Sequence, residues 1–312
     1  MNILITGCPG YLGNVLKSYF QIAGNRVYTM GLERQPGNPN HISGDLSAGI
    51  PKLPVLELDL VIHAAGKAHC SERDEAERAL MWKVNLDGTQ HLVQALEQLA
   101  HLPKAFLFIS TLDVYGLESG SDITEEQPLN PVTAYAASKA AAEEFLLRTL
   151  QGRCICGIVR LPLIVGPNPP GTLGRMIKAM QKGIFFTIAG GEARKSMISI
   201  CDIGPFLERL SQHGGVYNLT DGQHPSFREL NEVLAGKLGV RRAFTIPGWL
   251  GRLMGLAGSW GEKLTGHSLP FNLQLYEKMT NTITYSDALV RREMRWVPTP
   301  VIQFIERDWS EK

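Results

Sequence analysis

Apolar residues fall into two rhythms along the first half of the chain. Asn2 to Thr6 (NILIT) and Arg26 to Gly31 (RVYTMG) are short β-type runs. Between them Val15, Leu16, Tyr19, Phe20 and Ala23 recur at helical spacing after Gly13, and Gly24 ends the pattern. Further along, Leu58 to Gly66 (LDLVIHAAG) reads as a buried strand ending in small residues. Val84 to Leu99 reads as a helix, Lys104 to Thr111 (KAFLFIST) as a strand, and Cys154 to Gly166 (CICGIVRLPLIVG) as one further strand. Strands alternating with helices predict an α/β fold: a Rossmann-type, doubly wound parallel sheet. In such sheets ligands collect at the carboxyl ends of the strands, where Gly7, Gly66, Thr111 and Pro162 stand.

From Gly166 the punctuation changes. GPNPPGTLG is rich in Pro and Gly and marks a departure from the sheet. The expected division is a dinucleotide-binding domain over 1–166 and a smaller C-terminal α/β substrate domain over 167–312, some segments of which return to the sheet. Arg175 to Gly183 reads as a helix. Within Ile246 to Leu264, Trp249, Leu253, Leu256 and Trp260 recur at helical intervals. A face packed on its own domain's core is expected there, with a membrane-surface helix as the alternative.

Composition narrows the class. The 312 residues are 44% hydrophobic and 20% charged, as in a well-packed globular chain. A net charge of +1 gives no basic footprint for nucleic acid. The five cysteines are scattered, and Cys154-Ile155-Cys156 lacks the spacing of a zinc site, so no metal is expected and the thiols read as reduced core residues. The chain enters a strand at once, without the pattern of a signal peptide, and no run reaches the length of a membrane span. The expected location is cytoplasmic.

Two local patterns carry chemistry. Gly7, Gly10 and Gly13 form GxxGxxG between a strand and a helix. Glycines there let backbone approach a pyrophosphate, and a helix N-terminus offers free N–H groups and a positive dipole end. Tyr135 and Lys139, four apart at the start of an alanine-rich helix, share one face. A phenol beside an ammonium is a proton donor with a lowered pKa.

These motifs come in a recognisable order: TGxxGxxG at 6–13, HAAG at 63–66, Asn85 in VNLDGT, FISTLDVYG at 108–116 and YAASK at 135–139. The chain resembles the extended short-chain dehydrogenases, the NAD-dependent epimerase/dehydratase family acting on nucleotide sugars. SFRELNEVLAGKLG at 226–239 and REMRWVPTP at 292–300 resemble that family's C-terminal landmarks. The resemblance implies Thr111, Tyr135 and Lys139 as catalytic residues: Thr111 to hold the substrate oxygen, Tyr135 as general acid or base, Lys139 to stabilise the phenolate and bond the nicotinamide ribose. It implies a cofactor site of Gly7, Gly10, Tyr11, Leu12, Gly13, Arg34, Asp45, Leu46, Ala64, Ala65, Gly66, Asn85 and Pro162 together with Tyr135 and Lys139. Asp45 is equally readable as a turn former, and His63 as a satisfied strand histidine. Substrate contacts are expected from Thr111, Asp113, Leu163, Arg194 and Lys195, with Lys195 at the family's diphosphate arginine and Leu163 where epimerases often carry asparagine.

Gly31 stands at the end of the second strand, where many NAD-using relatives carry an acid, and Arg34 follows; this favours NADP(H) among NAD(P) cofactors, with Glu33 as the alternative partner for a ribose. The implied activity is reduction of a 4-keto sugar on a nucleoside diphosphate, UDP first, with Tyr135 as acid. The alternatives are an NAD-dependent 4-epimerase, then a dehydratase, then a non-catalytic dinucleotide sensor. Relatives pair through the helices that here begin near Asn85 and Tyr135, which implies a homodimer.

Overall fold

A computed structural model describes residues 1–54, 57–68, 74–265, 267, 269 and 271–309. Its first elements are β1 (Asn2–Thr6), α1 (Tyr11–Ile22), β2 (Arg26–Gly31), β3 (His41–Ser43) and β4 (Leu60–His63). Then come α2 (Glu75–Trp82), a π turn (Lys83–Asp87), α3 (Gly88–Glu97), β5 (Ala105–Thr111), β6 (Gly120–Ile123), α4 (Ala134–Leu150), β7 (Ile155–Leu161) and β8 (Leu163–Val165). The remainder is α5 (Gly171–Gln181), β9 (Phe186–Ile188), β10 (Met197–Ser199), α6 (Ile200–His213), β11 (Gly215–Asn218), α7 (Phe227–Leu238), β12 (Phe244–Ile246), α8 (Gly248–Thr265), α9 (Leu273–Thr280), β13 (Ile283–Tyr285), α10 (Ala288–Met294) and α11 (Val301–Arg307).

The central sheet has seven strands in the order β11-β7-β5-β4-β1-β2-β3, every pairing parallel. It is a Rossmann-type doubly wound sheet, and the chain reverses direction between β1 and β4, which places a crevice at their carboxyl ends. Alternate residues face opposite helix layers. Ile3, Ile5 and Leu107 pack with α1 and α6 through Leu16, Phe20, Phe206 and Leu210. Leu4, Phe106 and Phe108 pack with α3 and α4 through Leu92, Leu96, Leu146 and Leu150.

Several expectations need correction. The strand expected over 154–166 is two strands in two sheets: β7 in the central sheet, β8 paired with β10. Pro162 has no N–H to donate to a ladder, and the chain leaves the sheet there. The helix expected from Val84 begins at Glu75, because Asp74 caps it by accepting from Ala76 N at 2.9 Å. Helix α1 starts at Tyr11, so Gly13 lies inside its first turn. Of the cysteines, Cys8 is buried, Cys154 and Cys156 are half-buried and Cys201 is exposed in the first turn of α6, so the group is not uniformly core; Cys70 lies outside the described residues.

Helix α8 also departs from expectation. Its large apolar face, Trp249, Leu253, Leu256 and Trp260, is exposed, while Gly251, Gly255, Gly258 and Glu262 are buried. The narrow glycine side lets the helix approach α9 closely: a side chain at Gly258 would run into the Phe271 carbonyl. Glu262 accepts from Leu269 N at 2.9 Å and Asn272 Nδ2 at 3.1 Å, which satisfies it there. Among the described residues no helix is long and apolar enough to cross a membrane.

A buried polar network joins the middle strands to α4. Arg160 on β7 meets Glu143 on α4, with Nη2–Oε2 at 2.6 Å and Nε–Oε2 at 3.1 Å. Ser110 donates to Glu143, Arg160 Nη1 donates to the Tyr115 hydroxyl at 2.8 Å, and that hydroxyl donates to Asn218 Oδ1 at 2.7 Å. Removing one partner strands the other charge in the interior. Arg160→Ala is therefore expected to lower unfolding stability by about 3–5 kcal/mol in urea titrations. A loss below about 1 kcal/mol would mean that water reaches Glu143.

Candidate active site

The crevice starts with the turn from β1 to α1. Gly7 has φ +83°, and a Cβ on it would lie 2.7 Å from the Ala64 carbonyl carbon, so β1 and β4 can approach only over a glycine. Gly10 donates to the Gly7 carbonyl at 2.8 Å, and Gly13 packs on the same oxygen. Gly10 is the N-cap of α1 and supplies no side-chain acceptor. The first-turn N–H groups of Tyr11 and Leu12 are thus not side-chain capped, which makes bare backbone ready for an anion. The Tyr11 hydroxyl turns inward against Gly166, where it is buried without a partner and burial pushes its pKa up to about 12; Tyr11 can serve an anion only through its backbone.

Gly31 also lies close to this turn, and the reason is steric. A Cβ there would occupy the space of the Cys8 carbonyl oxygen. No carboxylate can stand at this position while the turn keeps its course. The missing acid is a packing requirement of this turn. Arg34, three residues on, is exposed. Asp45 Oδ1 accepts from Ser47 N at 2.8 Å and Ser47 Oγ at 2.7 Å, which is the turn-forming role, and the buried Leu46 accepts from His91 Nδ1 at 2.7 Å.

Strand β4 ends at His63, which is neutral and satisfied on both sides. Thr89 donates to the Asn85 carbonyl at 2.6 Å, so it accepts from His63 Nε2 at 3.0 Å, and His63 Nδ1 accepts from Thr6 Oγ1 at 2.7 Å. Burial, and then the nearby Lys139 charge, hold its pKa down to about 3. Ala65 N donates to Thr6 Oγ1 at 3.1 Å, which fixes the loop that leads to Gly66.

Lys139, Asn85 and Gly66 come together. A Cβ on Gly66 would lie 3.0 Å from Lys139 Nζ and 3.2 Å from Asn85 Oδ1. Asn85 sits in the π turn and is used fully: Oδ1 accepts from Lys67 N at 2.8 Å, and Nδ2 donates to Lys67 O at 3.1 Å and Ser138 Oγ at 2.9 Å. Lys139 Nζ donates to Ile109 O at 2.8 Å and lies 4.4 Å from the centre of the Phe108 ring. Its burial lowers its pKa to about 8, and the Glu143 carboxylate one turn on works against that fall. Glu143, Ser138 and Phe108 were not singled out from the sequence. Glu143, four residues after Lys139, is the one that helical spacing alone would have flagged.

Tyr135, in the first turn of α4, forms a hydrogen bond with the side chain of Thr111 at the end of β5. Thr133 caps that helix by accepting from Ala136 N at 3.1 Å. Against the expected lowering, burial and then the nearby Asp113 carboxylate raise the Tyr135 pKa; the Thr111 hydrogen bond opposes them. Burial and then Asp113 also raise the phenol of Tyr285, which stacks on Tyr115 with ring centres 5.5 Å apart. Pro162 lies half-buried between β7 and β8. Leu163 packs with the β8, β10, α7 and α11 cluster, so it serves at least a core role.

The second-half cations differ from one another. Arg194 donates to His224 O at 3.0 Å and contacts Glu229 at 3.3 Å. Lys195 is half-buried, and its backbone bridges to Ile283 in β13, the strand that carries Tyr285. Burial, then the charge of Lys278, lower its pKa to about 8. Lys278 is exposed on α9, and two like charges acting on one another favour an anion near Lys195.

A family model, the NAD dependent epimerase/dehydratase family, matches residues 3–219, and the chain belongs to that family. Its members are NAD(P)-dependent enzymes, reductases, epimerases and dehydratases among them. The chain is 32% identical to GDP-6-deoxy-D-mannose reductase of Pseudomonas aeruginosa, over 75% of this chain and 79% of that one. It is 24% identical to UDP-glucose 4-epimerase of Vibrio cholerae, over 97% and 92%. A human epimerase family protein crystallised with NADPH superposes with a TM-score of 0.75 at 17% identity, over 98% of each chain.

The Gly31 contact makes a specific demand. Gly31→Ala must push the turn off its course, at an expected cost of about 1–3 kcal/mol in unfolding stability. It should weaken NADPH and NADH alike, as read by fluorescence titration. A selective loss of one cofactor at unchanged stability would show that the position acts through charge alone.

Proposed function

We propose that this protein reduces the 4-keto group of a sugar carried on a nucleoside diphosphate, with Tyr135 as the general acid. The observation that carries the reading is the Tyr135–Thr111 pair, set at the carboxyl edge of the sheet in surroundings that keep the phenol protonated. A reduction consumes that proton, so a phenol that holds it at neutral pH starts in the correct state. An epimerase or dehydrogenase must first use the same group as a base. The 32% identical relative is itself a nucleotide-sugar reductase, which supports the same direction.

In this reading the bare turn of Gly7, Gly10, Tyr11, Leu12 and Gly13 takes the pyrophosphate of NAD(P) on backbone N–H groups, and the uncapped α1 N-terminus fits that charge. When bound, the nicotinamide supplies the hydride. Thr111 holds the sugar oxygen beside the Tyr135 hydroxyl, and Tyr135 delivers its proton to that oxygen. Lys139, kept positive by Glu143, stabilises the phenolate left behind. Asn85 fixes the Gly66 loop and through Ser138 the start of α4. Lys195 beside Lys278 takes the substrate diphosphate; a lysine keeps the charge of the family arginine without its two-pronged fork. NADP(H) is the favoured cofactor, since no carboxylate stands at the end of β2 to repel a 2′-phosphate and Arg34 is near in sequence and exposed.

The test offers UDP-, dTDP- and GDP-linked 4-keto sugars, UDP first, with NADPH or NADH. One turnover should consume one NADPH, and NADPH should bind more tightly than NADH. Tyr135→Phe should lose about 10²–10⁴-fold in turnover with cofactor binding retained. Epimerisation without added cofactor, by protein that purifies with NAD, would make the chain a 4-epimerase instead.

The lowered pKa of Lys139 adds a pH profile. The ammonium is present below about 8 and is lost above it. kcat/KM reports the free enzyme, so it should fall as pH rises through about 8. Lys139→Arg, slower but charged throughout, should lack that limb. An identical alkaline limb in the arginine variant would assign it to another group.

A further inference from the structure

Helix α8 has two opposite faces, and among the described residues only one is packed against the fold. Its buried face is Gly251, Gly255, Gly258 and Glu262. At about 100° per residue, Trp249, Leu253, Leu256, Trp260 and Leu264 lie within one narrow arc on the other side. Trp249 is 67% exposed and Trp260 is 70% exposed, and the leucines between and after them are exposed as well. The stripe runs along a helix of 18 residues, about 27 Å long. A continuous apolar stripe of this kind marks an interaction surface.

The charges decide what it meets. Arg252 and Lys263 are exposed and fall beside the stripe along the same edge. The helix has one acidic residue, Glu262, and it is on the buried side with its own donors. The exposed surface of α8 is therefore apolar with a cationic border and no anion. A second copy fits poorly. Antiparallel pairing about a two-fold axis would set Arg252 of one copy near Lys263 of the other, cation against cation. A bilayer carrying anionic lipid matches both parts. Indole rings settle at the headgroup level, leucines enter the acyl boundary, and Arg252 and Lys263 remain among lipid phosphates.

We propose that α8 is an interfacial helix by which this protein binds reversibly to anionic phospholipid membranes, lying in the surface without crossing it. None of the stripe residues is among those placed at the Tyr135 site, and the proposal holds whichever reaction that site performs.

Flotation with phosphatidylcholine vesicles containing roughly a third phosphatidylglycerol tests it, beside vesicles of phosphatidylcholine alone. The wild-type protein should float with the anionic vesicles, less so in high salt, and much less with the neutral ones. Trp249→Ser/Trp260→Ser should lose about tenfold or more in vesicle partition. Arg252→Glu/Lys263→Glu should lose the preference for anionic lipid. All four side chains are exposed, so circular dichroism and the melting temperature of each variant should stay near wild type. Wild-type protein that stays unfloated at low salt overturns the proposal, as does equal flotation of the tryptophan variant. A wild-type dimer in sedimentation velocity that the tryptophan variant dissociates would identify a second copy as the occupant, and also overturns it.

Discussion

The position of α4 on the sheet depends on one buried ion pair. Glu143 faces the sheet from α4 and Arg160 rises from β7 to meet it, both nearly excluded from solvent. Neither charge has another place to go in this interior, so a shift of the helix by one turn would leave both stranded. Lys139 lies one turn before Glu143 and Tyr135 one turn before that. The same pair therefore sets the depth at which the ammonium and the phenol stand relative to Thr111. Arg160 also holds the Tyr115 hydroxyl, and Tyr115 stacks on Tyr285 from the second half of the chain. One charge pair thus orients groups on both sides of the crevice.

The electrostatics of the site follow from this arrangement. The interior penalises both charged forms: it raises Tyr135 and lowers Lys139. Glu143 works against the second effect, and Thr111 against the first. The result is a phenol that keeps its proton at neutral pH and an ammonium with its pKa brought close to the working range. In the proposed reduction these are the starting conditions for proton delivery to a carbonyl. The glycine turn contributes a different kind of constraint, which is steric: Gly7 allows β1 and β4 to close, and Gly31 allows the Cys8 carbonyl to pass over the end of β2.

Helix α8 illustrates how a period can mislead. Tryptophan and leucine at helical spacing are what a core face produces, and they are what an exposed stripe produces too. The difference lay in the residues between them. Gly251, Gly255 and Gly258 repeat on the opposite side, and small residues allow closer backbone packing than leucines do. The helix docks by its thin side and leaves its bulky side free.

The sequence by itself determined the parallel sheet, the glycine turn, the order of the motifs and the shared face of Tyr135 and Lys139. Each of these is local: strand runs, a helical period, glycines where backbone must come close. Only the tertiary structure decided the rest. It split the strand at Pro162 between two sheets, because the partner of β8 is β10, more than thirty residues away. It showed that Gly31 is bare for lack of room, since the obstructing carbonyl belongs to Cys8. It joined Glu143 to Arg160 and turned the tryptophans of α8 outward. A side chain's neighbours across the fold have no fixed spacing along the chain, so those neighbours, and the pKa values and exposures they impose, were not legible before folding.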